Sequence, residues 1–370
     1  MLVLVPAIIL LAPGPTRIIS LTHQRFLTEQ VFYKSIKHKF MKKHRFIMGV
    51  DVSKNTLDIY CTKINEHLQI QNGTVGFREF LLWCKTQKVD MKNCIVVMEY
   101  TGGYEYKLVQ FCESKKIPFM RIPGLAIKHS LGIIRGKNDK VDSKRIAQYA
   151  FEKYSSLQAS KPLDQRIVRL KELLKFRKRL VRENAGYQAT IKERKHIYPD
   201  LGKDIIIKEL GKKLGNNEQA ISKIEAEIMK IIEANDDFKI NYDLVTSIKG
   251  IGKVNAWMTI AYTENFTSFP DGRTYAVYVG VIPFDHSSGT SIKGKKRVSN
   301  LANKELKSEL SQAAKSAMQW DKEIREYADR KLKEKQWGTV VNNVKFKLIL
   351  RMFAVVKRGT KYVDNSQIAA

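Results

Sequence analysis

No two of the four cysteines in this 370-residue chain form a CxxC pair, and Cys61, Cys84, Cys94 and Cys112 all fall in its first third. That spacing argues against a zinc site and against a disulfide framework, and it suits a reducing cytoplasm. Long apolar runs are also missing. The opening "MLVLVPAIILLA" is too short to cross a bilayer as a helix and lacks the basic residues that precede the core of a secretory signal. No repeat of fixed period is present. Acid is scarce: 37 Asp and Glu face 66 Lys and Arg, a net charge of +29. An excess of that size, spread over the whole chain, points to a polyanion and favours nucleic acid over a membrane surface.

The amino-terminal stretch through "KSIKHKFMKKHRF" is basic and without period. We read residues 1–44 as an extension outside the fold, with translation starting at Met41 as one explanation and a weakly membrane-associating tail as the other. From residue 45 the texture changes. "RFIMGVDV", "TLDIYCTKI" and "HLQIQNGTV" are short β-rich runs parted by turn residues, an antiparallel meander. Helical "GFREFLLWCKTQ", strand "NCIVVME", helix "YEYKLVQFCESKK", strand "IPFMRI" and helical "GLAIKHSLGII" follow, giving β-β-β-α-β-α-β-α and an α/β layout with a mixed sheet over 45–160. Residues 161–238 read as a helical hairpin or coiled coil. One helix spans 163–198 with Ile167, Leu170 and Leu174 in its stripe, and a second spans roughly 216–235 with Ile221, Ile224, Ile228, Ile231 and Ile232. Gly211, Gly215 and the Asn216-Asn217 pair are expected to break the chain between them. Residues 239–362 are mostly helical, with a Gly-Ile-Gly hairpin at 250–252 and with "TYAVYVGVIPFDHSSGTSIKGKKRVSNLANKEL" reading as helix, loop and helix, and 363–370 form a tail. The helix from Thr339 to Arg358 is expected to have an apolar core side and a basic outer face that includes Asn342, Asn343, Lys345, Lys347 and Arg351.

Four acids stand out by position. Asp51 ends the first strand and Glu99 a central one; Asp139 and Asp142, in "GKNDKVDSKRIAQYA", share one face if a helix begins there. Brought together, each pair at 4 Å would repel by ~4 kcal/mol at an effective dielectric near 20. A divalent cation removes that cost, and an oxygen-rich set suits Mg²⁺ or Mn²⁺. The plainer alternative makes Asp139 a helix cap and Asp142 a surface partner of Lys144 or Arg145.

These blocks have a family likeness. "GVDVSKNTLDIY", "VVMEYTGGYE" and "GKNDKVDSKRIAQYA" resemble the acidic blocks of the DEDD transposases of bacterial insertion sequences, relatives of the Piv/MooV DNA invertases. "SIKGIGKVNAWMTIAYTENFTSFPDGRTYAVYVGVIPFDHSSG" resembles that family's carboxyl-terminal block, and the likeness runs from about Phe46 to about Tyr362. It implies a RuvC-like, ribonuclease H-like catalytic domain, a coiled-coil spacer and a helical carboxyl-terminal domain with a helix-hairpin-helix. It also implies divalent-metal binding by Asp51, Glu99, Asp139 and Asp142, and a serine nucleophile toward DNA. Ser288 of "PFDHSSG" fits best, with Ser287 as the fallback and His286 a weaker candidate for a base. "RVSNLANKELK" departs from the pattern, having Ala-Asn where relatives often show Gly-Asn; we expect a helix start there.

The resemblance further implies DNA at the element ends and target, a structured guide RNA that pairs with both, and a homodimer or homotetramer acting in the cytoplasm at the nucleoid, without membrane contact. Candidate nucleic-acid contacts are Gly250, Gly252 and Lys253 at the hairpin, Lys293, Lys295, Lys296 and Arg297 after the serine, and Arg177, Lys178 and Arg179 on the spacer. Each has a plain alternative: a tight turn, or a solvated charge run. The competing function is a metal-dependent RuvC-like nuclease or junction resolvase that forms no covalent intermediate.

Overall fold

The computed structural model describes residues 46–100, 102–130, 139–153, 159–199, 204–288 and 292–363, with backbone alone at 285–288 and 292–297. The proposed extension at 1–44 and the tail from 364 lie outside the described residues. The chain divides into two compact units, one up to Pro162 and one from Leu163.

The first unit follows the expected order. Strands β1 (Phe46–Val52), β2 (Thr56–Cys61) and β3 (Glu66–Gln71) precede helix α1 (Thr74–Thr86). Then come β4 (Cys94–Glu99), α2 (Tyr106–Ser114), β5 (Phe119–Ile122), α3 (Gly124–Ser130) and α4 (Asp139–Lys153). The sheet order is β3-β2-β1-β4-β5. β1–β2 and β2–β3 are antiparallel, while β1–β4 and β4–β5 are parallel. β1 and β4 are central and nearly continuously buried, as their unbroken apolar runs require; edge strand β3 alternates and is mostly open to water. Phe77 of α1 stacks on Phe111 of α2 with ring centroids 4.6 Å apart. Ile47, Ile95, Val97, Met120 and Ile122 form a core with Ile127 of α3 and Ile146 and Ala150 of α4. All four cysteines are buried free thiols. Burial pushes Cys84 and Cys112 up to about 12, which keeps them protonated and inert.

The second unit begins with α5 (Gln165–Ile197) and α6 (Ile205–Glu233). The helical hairpin is present, but its break is not where the glycines suggested. α6 runs unbroken through Gly211, Gly215, Asn216 and Asn217. The first helix ends at Ile197 and the second starts at Ile205, where Asp204 accepts from the Ile206 amide at 2.8 Å and from Arg194 Nε at 2.7 Å. Packing overrides the propensity of two glycines. Asn217 donates to Asn184 of α5 at 2.9 Å, and Arg177 pairs with Glu225 at 2.7 Å, so the helices run antiparallel.

α7 (Asp236–Thr246), α8 (Lys253–Tyr262), α9 (Gly272–Val279), strands β6 (Phe284–Ser288) and β7 (Ile292–Arg297), α10 (Lys304–Trp320), α11 (Lys322–Leu332) and α12 (Trp337–Arg358) complete the unit. Residues of the spacer and of the later helices, from Ile167 to Val355, share one hydrophobic core. Two expectations are corrected. The loop around the serine is a two-stranded antiparallel hairpin, β6–β7. Lys345, assigned to an outer face, is buried on α12. The helix start at Ala302-Asn303 is present: Asn303 caps α10 by accepting from the Leu306 amide at 3.1 Å. Among the described residues no helix is long and apolar enough to cross a membrane.

Candidate metal centre

Side chains alternate along a strand, so Ile47, Gly49 and Asp51 share one face of β1. On α4 the residues Asp139, Asp142, Ser143, Ile146, Ala147 and Ala150 recur at helical spacing and share one stripe. The two rows meet. Ile47 shares a core with Ile146 and Ala150. At Gly49 a Cβ would lie 2.3 Å from both the Ala147 backbone nitrogen and the Ser143 carbonyl oxygen. The helix thus lies directly on the backbone of β1, a distance only glycine permits. One step further along the same two rows, carboxylate oxygens of Asp51, Asp139 and Asp142 fall within 4.8 Å of one another.

Glu99 belongs to the same neighbourhood without joining that tight group of three. Parallel β1 and β4 pair Gly49 with Val97 and Val50 with Met98, which brings Glu99 level with Asp51 on the adjacent strand. Its carboxylate is aimed across Gly124, where a Cβ would sit 1.9 Å from Oε1. On the other side β2 sets Asp58 directly opposite Asp51. Three acids therefore stand in a row across β2, β1 and β4, beneath the two helix acids.

The electrostatics follow from this crowding. Asp51 is pushed from 3.8 up to about 6, first by burial and then by Asp139, Asp142, Glu99 and Asp58. Asp142 also accepts from Arg145 Nη1 at 2.7 Å, so the surface pairing weighed against a metal role coexists with the cluster. Asp58 is the residue sequence reasoning missed. It is buried, and His67 Nε2 and Gln69 Nε2 meet its carboxylate at 2.8 and 3.2 Å. The signal was in "VDVSKNTLD": a tight hairpin between two aspartates seven apart sets them face to face.

A half-buried set of hard oxygen donors that repel one another has the chemistry a small divalent cation satisfies. The donors present therefore fit a metal ion, as the resemblance to the DEDD transposases implies. Asp51, Asp139 and Asp142 would hold it, with Glu99 beside them.

The other candidates lie in the second unit. Ser287 and Ser288 end β6, and Lys293, Lys295, Lys296 and Arg297 lie on β7; their side chains are outside the described residues. Gly250 has φ 92°, and a Cβ there would fall 2.8 Å from the Ala313 carbonyl and the Ala317 nitrogen, so its turn is needed for α10 to pack. Gly252 precedes α8 in open space. The basic spacer candidates and Lys253 of the hairpin are all engaged: Arg177 and Lys253 with Glu225 at 2.7 and 2.6 Å, Lys178 with Glu305 at 2.8 Å, and Arg179 with Glu183 at 2.9 Å.

Comparison with known proteins adds a family to this geometry. A transposase family model of the DEDD, IS110 type matches residues 48–193, which span the acid cluster. A second, described as transposase of the IS116/IS110/IS902 family, matches 242–329. Pilin gene-inverting proteins of Moraxella lacunata and Moraxella bovis are each 26% identical over 272 residues, covering 71% of this chain and 80% of theirs. The transposase for insertion sequence element IS1111A of Coxiella burnetii is 26% identical over 268 residues, 66% of this chain and 70% of that protein. The relatives are transposases and gene-inverting proteins, which does not favour the plain nuclease reading.

Proposed function

Because this chain belongs to the IS110 family of transposases, enzymes that recombine DNA, we propose that it cuts and rejoins strands through a serine–DNA intermediate and that the Asp51 acids hold a divalent cation for that reaction. The single observation that carries this reading is the convergence of Asp51, Asp139 and Asp142 within 4.8 Å. The five-stranded mixed sheet, antiparallel at β1–β2–β3 and parallel at β1–β4–β5, supports a ribonuclease H-like, RuvC-like assignment for the first unit.

The chemistry is phosphoryl transfer. The Ser288 oxygen attacks phosphorus; a phosphoseryl bond forms and the bond to one deoxyribose oxygen breaks. The serine proton passes to solvent or a neighbouring base, and the departing oxygen takes a proton from solvent and leaves as a hydroxyl. Attack of a strand-end hydroxyl on the phosphoseryl bond reverses the exchange and frees the serine. Bond energy is kept for rejoining, which a recombinase needs and a hydrolase does not. Bound at the acids, Mg²⁺ or Mn²⁺ supplies polarisation of the phosphoryl oxygens and neutralises developing charge. Asp51, Asp139, Asp142 and Glu99 orient that charge. We assign sequence choice to base pairing by a structured RNA of the element, since a net charge of +29 serves backbone contact and carries no base code. Exchange between two duplexes needs at least two active sites, so the working form is a dimer or tetramer, bound to DNA in the nucleoid.

The test is incubation of the protein with Mg²⁺ and a cognate DNA junction, followed by denaturing electrophoresis for a protein–DNA adduct. Wild type should form the adduct and Ser288→Ala should not. Full strand transfer by Ser288→Ala would remove the serine mechanism.

A further inference from the structure

Lys345 is the one buried cation among the described residues, with 6% of its surface exposed. It lies on α12 among Val341, Val344 and Leu348, all buried. Helix α10 packs alongside and carries Lys307, Ser311 and Lys315 at intervals of four, one stripe of its surface. Both α10 lysines act on Lys345. Together with burial, which contributes most, they push its ammonium down to about 8. Among the described residues its ammonium meets no carboxylate and no hydrogen-bond acceptor. The same helix treats another cation in the opposite way. Arg351, six residues on, is held by Asp321 and Glu323 at 2.7 Å each. The stem is buried while the ammonium opens to the surface beside two like charges, a crowding that disfavours its charge in the free protein. The arrangement is relieved by an anion that three ammonium groups can share, as phosphate is by lysine.

We propose that Lys345, with Lys307 and Lys315 of the facing helix, is a seat for a phosphodiester group of the nucleic-acid backbone. It takes only the class of ligand from the function proposed above and does not depend on strand cleavage. The seat reads no sequence; it fixes the position of a strand on the second unit. Duplex DNA and structured RNA both offer the required group.

Lys345→Met keeps the length and the apolar stem and removes the charge. Binding is measured in EDTA by fluorescence anisotropy across a salt series, using a short random DNA duplex in one arm and a random structured RNA in the other. We expect Lys345→Met without ligand to melt above wild type. We expect its affinity to fall several-fold, and the slope of log K against log salt on the duplex to be shallower by ~0.9, one phosphate's worth. The Lys307→Gln/Lys315→Gln variant alters the more exposed side of the seat, so it reports even if Lys345→Met misfolds, and it should give the same change of slope. Loss confined to one arm supports the seat and identifies which nucleic acid occupies it. Unchanged affinity and slope in both arms and both variants overturns it. No cleavage is measured, so failure of the serine chemistry leaves this result intact, and failure here leaves that chemistry untouched.

Discussion

Asp51→Asn should make the metal-free protein more stable and the metal-bound protein less so. Asp51 sits where burial and four neighbouring acids disfavour its charge, raising it from 3.8 to about 6. A rise of that size corresponds to roughly 3 kcal/mol. The carboxylate is only half-buried and water screens its neighbours, so we expect about a third of this, ~1 kcal/mol, to reach the folding equilibrium. The direction with pH is fixed. The folded chain holds this proton more tightly than the unfolded chain, so Asp51 costs nothing below about pH 4, where both states are protonated. The cost grows as pH climbs from about 4 to 6 and is complete above that. In calorimetry with EDTA, Asp51→Asn should match wild type below pH 4 and melt about 2–4 °C higher at neutral pH. Saturating Mg²⁺ should reverse the order, since a ligand at a hundred times its dissociation constant adds ~2.7 kcal/mol to the chain that binds it. If Asp51→Asn melts lower than wild type in EDTA at neutral pH, or if Mg²⁺ raises both proteins equally, the acids do not form a cation site.

Two further changes test how the site is held. Gly49→Ala forces a methyl to within 2.3 Å of α4 backbone atoms, so the helix must back away from β1. Calorimetry should show a loss of up to ~3 kcal/mol, and Mg²⁺-dependent stabilisation should fall, whereas unchanged Mg²⁺ response would mean that the Asp139–Asp142 end does not need this contact. A Gly124→Ala methyl finds its nearest atoms in the Glu99 side chain, with Oε1 1.9 Å away; it should displace that carboxylate and cut strand transfer at least tenfold, and wild-type transfer would place Glu99 outside the working set.

The expected strand and helix order of the first unit is present because its signals are local. An unbroken apolar run such as "CIVVME" is a central strand, and the "DSKRIAQYA" stripe has a helix period. The candidate acids were legible for the same reason: each sits at the end of an element, where a charge has no apolar neighbour to serve. Asp58 was not, because its importance comes from β1–β2 register, which turns an ordinary strand residue into the direct opposite of Asp51. Gly211 and Gly215 misled because glycine's cost in a helix, ~1 kcal/mol each, is small beside the apolar stripe that α6 buries on α5. Lys345 misled for the opposite reason. Lysine so rarely lies buried that a helical wheel places it outside, and only the packed helices show otherwise.

The two exceptions to ordinary burial share a cause. In the first unit Asp51 is crowded by four other acids, and Arg145 at Asp142 and His67 at Asp58 offset only part of that charge; in the second, Lys345 is crowded by two other lysines. A fold selected for stability alone would have paired each charge within its own unit, as Arg351 is paired with Asp321. A protein that handles a phosphodiester and a divalent ion receives both missing charges from its substrate complex. Each unit should therefore gain stability from its own ligand alone, Mg²⁺ for the acids and backbone phosphate for the lysines. Removing one crowded charge should raise the melting point of the unit that bore it and lower its response to that ligand. Those paired changes of opposite sign distinguish a ligand site from a poorly packed core, in which substitution alters stability and leaves the response to ligand unchanged.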